Sequence, residues 1–136
     1  MEYESWDESL ETGNAMIDSQ HRELHSLLDR LKKDTKSRDV LRMLDDIMVR
    51  TVDHLSYEED LMDEVNYPSN SKKAMVDKHE EFKSNVSSYI LDFQNQRITV
   101  QLIKSNIIMF LIDHELVEDR ELADWIRRRE ETNKDA

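Results

Sequence analysis

Side chains of metal-ligating types recur on the apolar faces of the helices that the sequence predicts. One predicted helix carries His54 and Glu58 in the stretch HLSYEED, between apolar residues. The other helices show the same pattern, with His21 and His25, then His79, then His114, Glu115 and Asp119. A single buried histidine is usually a hydrogen-bonded core residue, but buried charges are costly unless they are paired or bind a metal. Four helices that share this pattern therefore predict a metal site.

The types of ligand residue restrict which metals could bind. The chain contains no cysteine, which excludes thiolate sites, thiolate catalysis and disulfides. Imidazoles with carboxylates suit iron, manganese or zinc. The carboxylates suggest two ions, because a carboxylate can bridge two metals. Iron is favoured, since the cores of helical bundles with such ligands commonly hold di-iron sites.

The spacing supports one pair of ligands better than the other. His54 and Glu58 are four residues apart, or about 40° around an ideal helix, so both reach one centre. His114 and Asp119 are five residues apart, or about 140°. On an ideal helix these two side chains approach a centre from flanking directions, so this spacing alone is a weaker signal.

The elements that position these residues are predicted to be helices. The chain has 136 residues with one glycine and one proline, which favours an all-α fold. We predict a single domain over residues 1–136, with an arm at 1–13 and helices at about 14–34, 38–65, 72–93 and 99–128. Short links between amphipathic helices predict an antiparallel up-down-up-down four-helix bundle. The ligand set then lies towards one end of the bundle.

Charge and hydropathy exclude several classes of partner. The net charge of −12 argues against nucleic acid and anionic membrane surfaces. No apolar run approaches the roughly 20 residues of a membrane span. The acidic start MEYESWDESLE is unlike a signal peptide, so we expect a cytoplasmic protein.

Four motifs in order resemble those of the hemerythrins, and of the bacterial ones in particular. The resemblance covers nearly the whole chain. The first stretch includes the arm and His21, the second His54 and Glu58, the third His79, and the last the His-x4-Asp pair of His114 and Asp119. These stretches are WDESLETGNAMIDSQHRELHSLL, HLSYEEDLM, YPSNSKKAMVDKHEEF and MFLIDHELVED.

The resemblance implies a non-haem centre of two iron ions with an oxo or hydroxo bridge. In the family, two carboxylates bridge the ions, here Glu58 and Asp119, and five histidines complete the coordination, two on one iron and three on the other. The family binds O2 reversibly at the iron with fewer ligands. We place the corresponding ligand pocket among Leu24, Leu55 and Leu111.

Two residues depart from the family pattern. The third motif usually has two histidines four residues apart, but Met75 stands four residues before His79. We do not count Met75 as a ligand, because a thioether is a poor ligand for ferric iron. We expect it to pack as an apolar residue, which leaves that iron with an open or water-filled position. Glu115 follows the last histidine, where the family usually has a bulky aliphatic residue. Glu115 either points inward, as a proton donor or extra ligand, or turns to solvent or an ordinary ion pair.

His25 is a third unusual residue, one turn after His21, where the family generally has an apolar residue. Three interpretations are open: His25 replaces the missing ligand, it hydrogen-bonds to Glu115, or it is a flanking or core histidine without a role at the metals.

The predicted function is binding, storage or sensing of O2 or a related small ligand at the di-iron site. The alternative is a peroxidase or oxidase that reduces O2 or peroxide, because Glu115 and Met75 depart from the carrier pattern. The sequence does not identify an electron donor. A bundle that has lost its metals is the weakest hypothesis, since Glu58 and Asp119 are both present.

Overall fold

The computed structural model describes residues 4–135 and confirms the all-α four-helix bundle. The helices are α1 (Ala15–Asp29), α2 (Ser37–Glu64), α3 (Ser69–Gln94), α4 (Val100–His114) and α5 (Arg120–Asp135). A short 3-10 helix at Glu8–Leu10 precedes α1, and one π-helical turn at Glu115–Asp119 joins α4 to α5. The fourth helix of the bundle is therefore α4, the π-turn and α5 in succession.

The helix bounds differ from the predicted ones mainly at the ends. α1 ends at Asp29 rather than near residue 34, and α3 begins at Ser69 rather than near residue 72. Pro68 directly precedes α3, and a proline is well tolerated at a helix start because its missing N–H would be unpaired there anyway. The predicted turn at 66–71 is thus shorter than expected. Residues 1–3 of the predicted arm lie outside the described residues.

The most apolar helix is α4, with the sequence VQLIKSNIIMFLIDH. It has 15 residues, fewer than the roughly 20 that span a bilayer. Across residues 4–135, no helix combines the length and the apolar character that a membrane span requires.

Two apolar clusters fill the bundle. α2 packs against α1 and α3, and α4 packs against α3 and α1. The large apolar cluster contains twelve buried residues, among them Leu24, Leu55, Phe82 and Leu111. The small apolar cluster consists of Ile17, Met62, Met75, Leu122 and Ile126.

The predicted ligands lie between these clusters on every helix. His21 falls between Ile17 and Leu24, and His79 falls between Met75 and Phe82. On α2, Glu58 falls between Leu55 and Met62, with His54 next to Leu55, and on the fourth helix His114 and Asp119 fall between Leu111 and Leu122. The structure thus stacks a layer of ionisable side chains between two apolar layers, nearer the end of the bundle that the small cluster closes.

The arm is anchored to α1 through Asp18. Asp18 is buried and accepts hydrogen bonds from the backbone N–H groups of Thr12 (2.8 Å) and Gly13 (3.2 Å). Asn14 then caps α1 by accepting from the N–H of Ile17 (3.0 Å). Gly13 has a φ of 95°, in the region that favours glycine. The turn therefore depends on both the carboxylate and the glycine.

Substitution of Gly13 tests this anchor. A Cβ at Gly13 would meet no atom within 4 Å, so the cost of Gly13→Ala is conformational. We expect Gly13→Ala to lower the free energy of unfolding by about 1–2 kcal/mol in urea titrations. Gly13→Asn is the matched control, because asparagine adopts positive φ more readily and should cost about half as much. Equal losses for the two variants would contradict this account.

Candidate metal centre

Two groups of buried side chains place their ligand atoms close together. One group contains His21, His54, Glu58 and Asp119, and the other contains Glu58, His79 and His114. Within each group the ligand atoms lie within 4.8 Å of one another. Each group brings together residues from three different helices, counting α4 and α5 as one. The six residues that the motifs single out as ligands therefore meet in one layer of the bundle.

Glu58 and Asp119 connect the two groups. Asp119 directs Oδ2 to His21 Nε2 (2.8 Å) and Oδ1 to His114 Nε2 (3.1 Å). Glu58 directs Oε1 to His54 Nε2 and Oε2 towards His114 Nε2 at 3.8 Å. Each carboxylate thus faces one group with each of its oxygens, which is the arrangement that a carboxylate bridging two cations needs.

The π-turn brings Asp119 to the side of His114. The expectation that these residues approach from flanking directions is wrong, because it assumed an ideal α-helix. A π-turn closes its backbone hydrogen bonds five residues apart, so residues five apart come to the same side. The spacing His-x4-Asp was the sequence signal for this turn, since both residues had to face inward.

Two of the imidazoles, His54 and His79, are oriented through Nδ1 by side chains that the sequence analysis did not select. Gln20 Oε1 lies 2.6 Å from His54 Nδ1, and Glu59 Oε2 lies 3.0 Å from His79 Nδ1. Each acceptor takes the Nδ1 proton and leaves the Nε2 lone pair facing the centre. Gln20 and Glu59 each stand beside a ligand in sequence, but no spacing rule distinguishes them from other exposed polar residues.

The donor set fits a cation. Glu58 and Asp119 are both 0 % exposed, and their four carboxylate oxygens accept no conventional hydrogen bond from residues 4–133. His79 Nε2 and His114 Nε2 are likewise buried without a hydrogen-bond partner in this part of the chain. Buried polar atoms normally form regular hydrogen bonds, whereas these atoms have only the short contacts among the imidazoles and carboxylates of the set itself, so the set is suited to hold a metal.

The two carboxylates have opposite pKa shifts. Burial acts to raise the pKa of Glu58, but His54, Asp119 and His114 outweigh it, so the pKa is well below the ordinary value. Burial and the charge of Glu58 together raise the pKa of Asp119. Two carboxylates this close cannot both carry a charge cheaply without a cation.

The imidazoles respond to the same charges. Burial acts to lower the pKa of His114, but Asp119 and Glu58 raise it well above its ordinary value. The pKa of His54 is raised in the same way, with Glu58 outweighing burial. For His79 burial dominates, and its pKa is lowered. Without a metal the layer therefore holds protons, which a binding cation would displace.

Comparison with known proteins agrees with this site. The Hemerythrin HHE cation binding domain matches residues 12–128. The chain belongs to the hemerythrin family. A bacteriohemerythrin of Stenotrophomonas maltophilia is 29% identical over 125 residues, which cover 90% of this chain and 80% of that protein. Bacteriohemerythrins of Pseudomonas aeruginosa and Pseudomonas paraeruginosa are 24% identical over the same shares of each chain.

The three residues that depart from the hemerythrin pattern, Met75, Glu115 and His25, are all buried. Met75 is 2% exposed and packs in the small apolar cluster, as expected. Glu115 is 0 % exposed, so it points inward and does not turn to solvent, and the structure pairs it with His25, as the ion-pair alternative allowed. His25 Nε2 lies 2.6 Å from Glu115 Oε1, the second of the three alternatives for His25. Neither His25 nor Glu115 joins the two groups of converging ligand atoms.

The residues expected to line the ligand pocket are close in sequence to residues of the ligand layer. Leu24, Leu55 and Leu111 are all buried and all belong to the large apolar cluster. Each lies three residues from a residue of the ligand layer, His21, Glu58 and His114 respectively. The side of the centre that faces the large cluster is therefore apolar, apart from Glu115 and His25.

Removal of Glu59 tests the orienting contact. We expect Glu59→Ala to weaken metal binding about 10- to 100-fold, because His79 loses the acceptor that fixes its ring. Asp60→Ala is the matched control, since it removes the same charge from the next, exposed position of α2. The measurement is metal dissociation in competition with a chelator. If both variants lose affinity equally, net charge and not ring orientation is responsible.

Proposed function

We propose that this hemerythrin is a non-haem di-iron protein that binds O2 or a related small ligand inside the bundle. The observation that carries the proposal is that Glu58 and Asp119 each direct one oxygen to each of two imidazole groups. One ion would be held by His21 and His54, and the other by His79 and His114. Both ions would share the two carboxylates.

The number of ligands that the protein supplies determines how many coordination positions each ion would keep for other ligands. Both imidazole groups contain two histidines, and Met75 stands where the resemblance implies a fifth. A thioether is a poor ligand for ferric iron, so the ion held by His79 and His114 would keep coordination positions for a small ligand or water. When bound, the two ferrous ions supply the electrons with which such a site holds O2.

The protein shell limits what reaches the centre. The large apolar cluster covers one side with Leu24, Leu55 and Leu111 and the small cluster covers the other. A ligand that enters such surroundings must be small and weakly hydrated, which suits O2 better than a charged substrate.

Reversible oxygenation is the direct test. We expect the purified protein to load two iron ions per chain and, after anaerobic reduction, to develop a visible absorption band with O2. The band should disappear when O2 is removed under vacuum and return on re-exposure. Iron content is measured by elemental analysis before and after the cycle.

Two results would contradict the proposal. Glu58→Gln, which keeps the size of the side chain and removes the bridging charge, should lose iron; retention of both ions would exclude bridging by Glu58. Immediate, irreversible oxidation of the wild-type protein, with both ions retained and no reversible band, would exclude a carrier.

A second candidate function is reduction of O2 or peroxide, with electrons from an external donor. One observation favours it: Glu115 is a buried carboxyl group next to the ligand His114, where the family usually has an aliphatic residue. A carboxyl group there can deliver protons that a carrier must withhold. Under this hypothesis, irreversible oxidation is accompanied by peroxide consumption that Glu115→Leu slows.

The role assigned to Met75 is tested by restoring the histidine. We expect Met75→His to destabilise the metal-free protein by about 1–3 kcal/mol, because an imidazole replaces an apolar side chain in the small cluster. Iron should reverse that loss, since the imidazole gains a metal ligand bond. Met75→Leu is the control and should cost less than about 1.5 kcal/mol with or without iron. The measurement is thermal unfolding of both forms. Failure of iron to rescue Met75→His would place residue 75 away from the centre.

A further inference from the structure

A chain of hydrogen bonds runs from the N-terminal arm to Glu115. The backbone N–H of Ser5 donates to the Asp29 carboxylate at the end of α1 (3.1 Å to Oδ2). Ser5 Oγ lies 2.8 Å from His25 Nδ1, and His25 Nε2 lies 2.6 Å from Glu115 Oε1. Ser5, His25 and Glu115 are all buried. Both ring nitrogens of His25 are therefore occupied, and its ring is held from both sides.

The hydrogen bonds that link Ser5, His25 and Glu115 have a preferred donor-to-acceptor direction. An ionised carboxylate can only accept, so His25 donates its Nε2 proton to Glu115. Nδ1 of the neutral ring then accepts, and the Ser5 hydroxyl donates to it. Glu115 therefore sets the tautomer, and the Ser5 hydroxyl, which can donate or accept, completes the pairing at Nδ1 and holds the ring in place.

His25 and Glu115 form a second histidine–carboxylate pair next to the layer of ionisable side chains. His21 and His25 are four residues apart on α1, and they pair with Asp119 and Glu115 on the π-turn. One helical turn rises about 5.4 Å, so Glu115 is about one turn from Asp119 along α1. The Glu115 carboxylate is near the centre but is held outside both groups of ligand atoms.

The second oxygen of Glu115 has no partner. Oε2 is buried and accepts no hydrogen bond from residues 4–133. An unpaired buried carboxylate oxygen is strongly attracted to a nearby cation. The proposed centre has fewer imidazoles than the family pattern, so its ions would have coordination positions to fill, and Glu115 directly follows His114 in the sequence. Within residues 4–133, the contact with His25 is the one hydrogen bond that holds this carboxylate in its observed position.

We propose that Ser5 and His25 act as a latch that keeps Glu115 from coordinating the metal centre. The latch leaves a coordination position free for the small ligand, and this role rests on the proposed function. His25 and Ser5 are positioning residues, and the arm is the element that sets them. His25 also lines a cavity of about 560 Å³ between the arm and α1, so the latch borders a space open to the outside.

The first test concerns the metal-free protein and does not depend on the proposed function. In 15N-histidine NMR spectra we expect His25 to be the Nε2–H tautomer, with that proton protected from exchange with water. Ser5→Ala should reduce the protection and change the Nδ1 shift. A His25 ring that is the Nδ1–H tautomer, or that is unaffected by Ser5→Ala, would overturn the latch.

The second test measures ligand access in the iron-loaded, oxidised protein. Azide serves as the small anionic probe, and its affinity is read from a visible titration. We expect His25→Ala to weaken azide binding at least about tenfold, because the released Glu115 occupies the position. In the Glu115→Gln background, where an amide replaces the competing carboxylate, His25→Ala should change azide affinity less than about twofold.

His25→Gln is the conservative variant. The glutamine amide can donate to Glu115, so the azide affinity should return to within about threefold of the wild-type value. Equal losses from His25→Ala in the wild-type and Glu115→Gln backgrounds would show a general structural effect and overturn the latch. If iron fails to load at all, the proposed function fails, and the NMR test still decides whether the hydrogen-bond chain exists.

Discussion

The structure is organised around two carboxylates that are buried side by side. Glu58 and Asp119 are both inaccessible to solvent and lie in an apolar bundle, where two adjacent negative charges are unstable without compensation. Four imidazoles from different helices supply part of that compensation, and together with the carboxylates they form groups that could hold a metal ion. The apolar clusters on both sides then make the compensation necessary, because they keep both carboxylates out of contact with bulk solvent.

The π-turn is the backbone feature that this constraint requires. The fourth helix has apolar residues facing inward on both sides of the turn, Leu111 before it and Leu122 after it. An unbroken α-helix would turn Asp119 away from His114. The extra residue in the turn lets His114, Glu115 and Asp119 all be buried, while Leu116 and Val117 remain exposed. π-turns are often found at functional sites, and here the reason is the convergence of two ligands.

The sequence predicted the bundle and the convergence of ligands because both depend on periodicity. Buried ionisable residues recurring on four amphipathic helices, such as Glu58 beside Leu55 and Met62, leave few other arrangements. The π-turn was not predicted, because angles were taken from an ideal α-helix. Gln20, Glu59 and Ser5 were missed for another reason: each acts through one hydrogen bond across the fold, and such a contact leaves no periodic signal in the chain.

Two histidine–carboxylate pairs connect α1 to the π-turn, and they differ in the contact that each histidine makes through Nδ1. His21 meets Asp119 within a cluster of ligand atoms, and its Nδ1 has no hydrogen-bond partner in residues 4–133. His25 meets Glu115 with Nδ1 tied to Ser5, which is tied in turn to Asp29. A ring fixed at both nitrogens cannot turn towards a metal, and it keeps its carboxylate partner with it. Under the proposed latch, the position of the arm decides whether a third carboxylate, Glu115, stays outside the metal centre or coordinates it.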